Sequence, residues 1–260
     1  MPRKTYAPLR WLASLLLLVP FGLLLLLSLM QGWRFPALMP EAWSGQSWRY
    51  LFTGNNDLAA ALGRSLLLSL SVATLATVGG FFTGRVIAFS PRKRTWLLLA
   101  YFPFVLAPVV YAAVVYFYFV VLGLAGSLPG VMLAQLMIAY PYAVILFTGY
   151  WTPRLRDMEQ LVYTLGGNRR VAFGRVLLPM SRGILLVGFF QTFLISWFEY
   201  GLTRLIGVGK VQTLTIEVYQ YVQEANPYLA ALSGVLLFVP PLLLLWVNKR
   251  YVFSARGGVK

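Results

Sequence analysis

The feature that most constrains this chain is a series of long stretches without a single charge. Trp11–Met30 places 11 leucines in 20 residues. Ser65–Gly84 is uncharged and bracketed by Arg64 and Arg85, and Trp96–Leu122 and Pro129–Trp151 are uncharged throughout. A fifth stretch opens at Ile184 and stays apolar to Phe198 before Glu199 and Arg204, and a sixth is Tyr228–Asn248. The hydrocarbon layer of a bilayer is about 30 Å thick, which ~20 apolar helical residues cross. Within it every backbone polar group must find a partner inside the protein, which leaves helices or closed barrels. Barrel strands are short and alternating, whereas these runs are long and continuous. The expected fold class is therefore an all-α integral membrane protein with six transmembrane helices. Composition agrees: 59% of the residues are apolar and 11% charged, against about 45–50% and roughly 25% in a soluble domain.

The first run also has the basic start of a secretory leader, in Arg3, Lys4 and Arg10. It is longer than the ~7–15-residue core of such leaders, and no small-x-small cleavage site follows, so a retained helix is expected. Basic residues set the orientation. With the N-terminus in the cytoplasm, the inside segments hold Arg3, Lys4 and Arg10; Arg85, Arg92, Lys93 and Arg94; Arg154, Arg156, Arg169, Arg170, Arg175 and Arg182; and Lys249, Arg250, Arg256 and Lys260. The outside segments hold only Arg34, Arg49, Arg64, Arg204 and Lys210. That split places both termini inside. It also accounts for the net charge of +15 through membrane-edge anchors, so no nucleic-acid partner is expected.

There is no cysteine and no histidine, which removes disulfides, thiolate zinc sites and any His or Cys nucleophile or base. A serine protease of the membrane with a histidine base is excluded, and an intramembrane aspartyl protease needs two acids in its spans where only Glu199 lies near one. A phosphate-binding loop needs G-x-x-x-x-G-K-[ST]. Gly207-Val208-Gly209-Lys210 fails it, because Arg204 stands at the earlier glycine position and Val211 follows the lysine. The chain is not expected to be an enzyme or to hold a catalytic residue, metal or cofactor of its own. Pro20, Pro103, Pro108, Pro141, Pro240 and Pro241 lie within the runs and read as packing kinks or as hinges.

One connection is patterned for order, the stretch 152–183. Thr152-Pro153 suits a helix start, with a capping hydroxyl and a proline in the first turn. Met158, Leu161, Val162 and Leu165 follow at i, i+3, i+4 and i+7, one apolar stripe. Gly166-Gly167 suits the helix end and Asn168 can cap the next helix. Phe173, Val176, Leu177 and Met180 repeat the spacing, and Pro179 closes the motif. A helix this short is marginal alone in water, so its stripe needs a cover: the bilayer surface, the chain's own spans or a groove on another protein.

The segment DMEQLVYTLGGNRRVAFGRVLLPMSRGI, residues 157–184, resembles the EAA loop of permease subunits of type I ABC importers. Gly166, Phe173, Val176, Leu178 and Pro179 match that motif in spacing, and Glu159 matches an acidic residue often found just before its glutamate. Gln160, Leu161 and Val162 stand where Glu-Ala-Ala is usual. The resemblance covers roughly residues 58–250. It implies a permease fold in the bacterial inner membrane with an N-terminal helix and external loop over 1–57, a transmembrane domain over 58–250 and a cytoplasmic tail over 251–260. It implies a coupling helix seated in a separate cytoplasmic ATPase, two copies of which bind ATP and Mg, together with a second permease subunit, an extracytoplasmic binding protein and the membrane lipid. On that resemblance Met158, Glu159, Leu161, Val162, Leu165, Gly166, Phe173 and Pro179 serve ATPase coupling. Glu159 is a candidate for a charged contact there or a solvated face residue. The alternative class is a stand-alone carrier or channel, which often shows repeats or charged relays inside its spans; both are lacking.

Glu199, Trp197 and Tyr200 are the candidate substrate-path residues. An acid within a span faces protein or water, so Glu199 reads as a substrate or gating contact, or as the partner of Arg204 or of another subunit. Glu199-Tyr200-Gly201, Gln212-Thr213-Leu214 and Val218-Tyr219 are similar to the branch serving sulfate or molybdate, thiamine, iron and polyamines. Tyr111, Tyr116, Tyr140 and Phe198 line a cavity or belong to packing and interfacial belts.

Overall fold

Apolar runs that can pair their backbone only within themselves become helix, and helix dominates the computed structural model, which describes residues 7–32, 42–53, 56–106 and 108–249. Its helices are α1 (Ala7–Ser28), α2 (Gln46–Phe52), α3 (Asp57–Ala88), α4 (Lys93–Val105), α5 (Pro108–Val121), α6 (Leu128–Tyr150), α7 (Pro153–Thr164) and α8 (Arg169–Val171). A π-helical turn, Ala172–Leu177, follows, then α9 (Leu178–Trp197), α10 (Gly201–Gly207), α11 (Leu214–Gln223) and α12 (Pro227–Asn248). Two short antiparallel strands, β1 (Met30–Gln31) and β2 (Ala42–Trp43), pair beside α1. The basic residues Arg3, Lys4, Arg34, Arg250, Arg256 and Lys260, and the tail 251–260, lie outside the described residues.

Among the described residues, four stretches are long and apolar enough to cross a membrane: Asp57–Ala88, Leu128–Tyr150, Arg169–Trp197 and Pro227–Asn248. The run Trp96–Leu122 differs from its expected single span. It is broken into α4 and α5, bent by 96°, and counting this pair as one crossing gives five. Leu106 leaves the helix for an extended conformation and Pro108 opens α5. A proline lacks the N–H that would extend the earlier helix and disfavours helical geometry just before itself.

The fifth run also differs. The helix reaches back through α8 and the π turn to Arg169 and ends at Trp197, so Glu199 and Arg204 lie beyond it. Pro179 sits in the first turn of α9, and the helix runs straight through it. Proline in a helix interior removes one bond and crowds the preceding turn. The wide turn just before it supplies the slack, with the Leu178 N–H reaching back to the Phe173 carbonyl.

The chain forms two compact units, Met1–Arg64 with Thr213–Pro240, and Ser65–Gln212 with Pro241–Lys260. In the first, Phe21 meets Phe238 edge-on at 4.4 Å and the Trp48 indole donates to the Ser28 hydroxyl. In the second, α6 is the central helix. Val131, Ala134, Ala139, Ala143 and Phe147 on it are fully buried. Gly80 and Gly84 of α3 let the two backbones nearly touch. A Cβ on Gly80 would stand 2.5 Å from the Ala143 Cβ, and one on Gly84 would stand 2.9 Å from the Phe147 Cβ and the Thr148 nitrogen. Small residues four apart are the usual means of close helix approach in lipid, where no hydrophobic effect presses helices together. On the other side of Phe147, a Cβ on Gly188 of α9 would stand 2.6 Å from the ring.

Candidate functional site

The segment from Thr152 to Gly183 forms the expected helix, bend and helix. Thr152 sits at the N-cap of α7 in extended conformation with Pro153 at the first position. Its hydroxyl makes no capping bond; its carbonyl accepts from the Leu155 N–H at 3.1 Å and the Arg156 N–H at 3.4 Å. The C-terminus is a Schellman motif. The Gly167 N–H donates to the Val162 carbonyl at 2.9 Å and the Gly166 N–H to the Tyr163 carbonyl at 3.0 Å, with Gly166 at φ +80°. Left-handed geometry favours glycine. Asn168 then caps α8, its side-chain oxygen accepting from the Val171 N–H at 3.0 Å.

The apolar stripe of α7 divides. Met158 and Val162 are half-buried, whereas Leu161 is 59% and Leu165 80% exposed. The buried positions are Leu155 and Glu159, one turn apart. In the following helix Phe173 and Val176 are half-buried, Leu177 is fully buried and Met180 is exposed. Pro179 is half-buried. Phe173 stacks on Phe82 of α3 at 5.7 Å and 24°.

Glu159 faces its own chain. Its carboxylate pairs with the Arg85 guanidinium at 2.5 Å and accepts from the Tyr163 hydroxyl at 2.8 Å. Arg85 lies 5.2 Å above the Trp151 ring, and the Trp151 indole donates to the Phe81 carbonyl at 3.1 Å. The loop is thereby tied to the end of α3 through Arg85 and to the end of α6 through Trp151. Burial pushes the Glu159 carboxyl up. The hydrogen bonds from Tyr163 and Arg85 and the charges of Arg85 and Arg169 outweigh it and hold the group below the usual range. Arg85 and Trp151 are the site residues that spacing did not single out. Arg85 read as a membrane-edge anchor, and nothing local pairs it with an acid 74 positions on.

At the other end of α9, Glu199 caps α10. Its carboxylate accepts from the Leu202 N–H at 2.7 Å, the Thr203 N–H at 2.9 Å and the Thr203 hydroxyl at 2.8 Å. The chain continues inward: the Gln135 amide donates to the Thr203 hydroxyl, and the Ser196 hydroxyl lies between the Gln135 oxygen and Ser69. Gln135, Ser196, Thr203 and Ser69 are all buried, so this polar string links α10, α6, α9 and α3. Trp197 is buried and stacks on Phe193 at 5.3 Å, and Tyr200 is half-buried. Tyr111 is buried, while Tyr116 and Tyr140 are half-buried; the Tyr140 and Thr83 hydroxyls bond at 2.7 Å. Phe198 is exposed. Among the described residues no three acids gather to hold a metal.

No family model matches the chain. It is 30% identical over 207 residues to the molybdenum transport system permease protein ModB of Mycobacterium tuberculosis, covering 72% of this chain and 78% of that protein. It is 27% identical over 199 residues to the sulfate transport system permease protein CysW of Synechococcus elongatus, covering 69% and 70%. Among solved structures it is similar to a bacterial ABC transporter involved in the import of the acidic polysaccharide alginate. The TM-score is 0.62 at 14% identity, over 96% of this chain and 99% of that one.

Proposed function

This chain belongs to the permease subunits of ABC importers, and from that premise we propose that its loop 152–183 is where a separate ATPase subunit engages it. The observation that carries the reading is the outward apolar edge of α7. Leu161 and Leu165 are exposed on a helix whose end is held rigid by the Gly166 turn, on the arginine-rich and hence cytoplasmic side. Apolar side chains held in register on a short helix suit insertion into a groove on a partner. Met158 and Val162 back that edge. Glu159, Phe173 and Pro179 act from behind, joining the loop to α3 and to α9.

In this reading α1 and the bent pair α4–α5 complete six crossings of the bacterial inner membrane, with both termini inside. Two ATPase copies hold ATP and Mg, a second permease completes the pore, and an extracytoplasmic binding protein delivers the solute. Glu199, Trp197 and Tyr200 shape the outer end of the path by fixing α10 on the end of α9. The relatives' names, molybdenum and sulfate transport, support a small tetrahedral oxyanion as cargo.

The test is a cysteine at position 165 in the assembled importer. Crosslinking to the ATPase that changes with ATP is the expected outcome. A complex that transports normally while position 165 meets only lipid overturns the reading. Uptake by this chain alone in liposomes, without ATP, favours a stand-alone carrier instead. Calorimetry of molybdate and sulfate on the cognate binding protein tests the cargo; no heat with either removes the oxyanion.

A further inference from the structure

Beside the loop, α3 and the start of the Arg169–Trp197 helix enclose a cleft of about 730 Å3. Its walls divide by chemistry. Phe82, Val86, Phe89 and Phe173 form an apolar part, and Arg85, Arg169 and Arg170 a cationic part. Arg85 is engaged by Glu159. Arg169 and Arg170 are exposed, and among the described residues no acid lies within ion-pair distance of either. Arg169 adds its charge to the field at Glu159 without contacting it, and two guanidinium groups beside one another with no ion pair of their own suit a phosphate, which arginine binds through paired N–H donors.

The apolar part continues out of the cleft. Val86 is 72% and Phe82 50% exposed, and Val78 and Leu75 lie on the same exposed face of α3, at steps of four, four and three residues along one side of the helix. A free phosphate or an acidic peptide would use the arginines and leave this track bare. A molecule with an anionic head and a hydrocarbon chain uses both, and basic pockets at the cytoplasmic membrane edge recognise such head groups.

We propose that this cleft binds an anionic phospholipid of the cytoplasmic leaflet, its phosphate on Arg169 and Arg170 and one acyl chain along Phe82 and Val86. The proposal rests on the reading that places this loop at the cytoplasmic face. Because Arg85 and Phe173 belong both to the cleft and to the seat of α7, an occupied cleft steadies the coupling loop, and ATP turnover responds to the charge of the bilayer.

The test is native mass spectrometry of the whole importer complex in detergent, titrated with phosphatidylglycerol or phosphatidylcholine. The variants are R169Q/R170Q, R169K/R170K and V86E. At about fivefold per basic residue near a membrane surface, the wild type retains phosphatidylglycerol about thirtyfold better than the glutamine pair does. The lysine pair keeps the preference, and V86E loses it through a charge set in the acyl track. Equal retention of the two lipids by the wild type overturns the proposal, as does an unchanged preference in the glutamine pair. Displacement by inorganic phosphate with no dependence on acyl chains assigns the cleft to a free anion and overturns it too. So does a crosslink from Val86→Cys to another polypeptide. ATPase copurification in the same samples separates the two readings. A complex that assembles but shows no lipid preference fails here alone, and one that never assembles fails at the coupling loop.

Discussion

Arg85, at the end of α3, and Glu159, midway along α7, form an ion pair at 2.5 Å that fastens the loop 152–183 to a helix long and apolar enough to span a membrane. The pair is nearly enclosed, with side-chain exposures of 23% and 11%, and Trp151 covers it from the end of α6. Removing the acid leaves Arg85 without its partner, at a cost of about 1–3 kcal/mol. E159A is expected to bind the ATPase yet consume more ATP per solute moved, and the swap R85E/E159R to recover part of that ratio. Reconstituted vesicles that report ATP and solute together check this.

The same pair predicts a pH response. The Glu159 carboxyl is held below its ordinary value in the folded protein. Its contribution is complete at neutral pH and lost as pH falls through the lowered value. Hydrogen exchange of the α7 amides is expected to stay slow down to the ordinary carboxylate range and to quicken only on its acid side. In E159Q that acid-side step disappears.

Gly166 carries the bend at φ +80°, with open space around the position a Cβ would take. A bulky residue there meets backbone strain of about 1–3 kcal/mol, although its Cβ meets no neighbour. G166L is expected to cut ATPase copurification or uncouple ATP use, while G166N, which tolerates this conformation better, retains most of both. Wild-type assembly and transport in G166L would count against the loop as the coupling element.

Leu161 and Leu165 touch little of their own chain, so replacing them tests docking apart from folding. L161S/L165S is expected to unfold within about 0.5 kcal/mol of the wild type and to lose most of its bound ATPase. Thermal melts and copurification from one preparation decide it.

Gly80 and Gly84 are expected to tolerate almost nothing larger. The atoms a side chain would meet include the backbone of Ala143 and Thr148, which cannot swing aside. G80V and G84V are each expected to cost about 1–3 kcal/mol as overpacking, seen as a lower melting midpoint and a reduced yield of folded protein.

Much of this architecture is legible in residue order, because lipid enforces long uncharged helices and because turns use few residue types. The Gly166-Gly167 end and the Asn168 cap stand where spacing places them. What was not legible depends on partners far along the chain. The Arg85–Glu159 pair joins residues that no local period relates. Glu199 reads as a charge within a span, yet the helix ends at Trp197 and the carboxylate caps α10. The break near Pro108 was hidden by an uninterrupted apolar composition, although the proline itself was the signal. Gly80-x-x-x-Gly84 stood in plain sequence as a packing motif, but only the approach of α6 identifies which face uses it.

Phe147 is seated between Gly84 on one side and Gly188 on the other, with backbone so near that neither flanking helix can slide without first withdrawing. Three helices, α3, α6 and α9, are thereby closely packed about one side chain. If a partner pushes on the loop 152–183 as proposed, these three helices meet the push together, and little of it is lost to shear at Phe147.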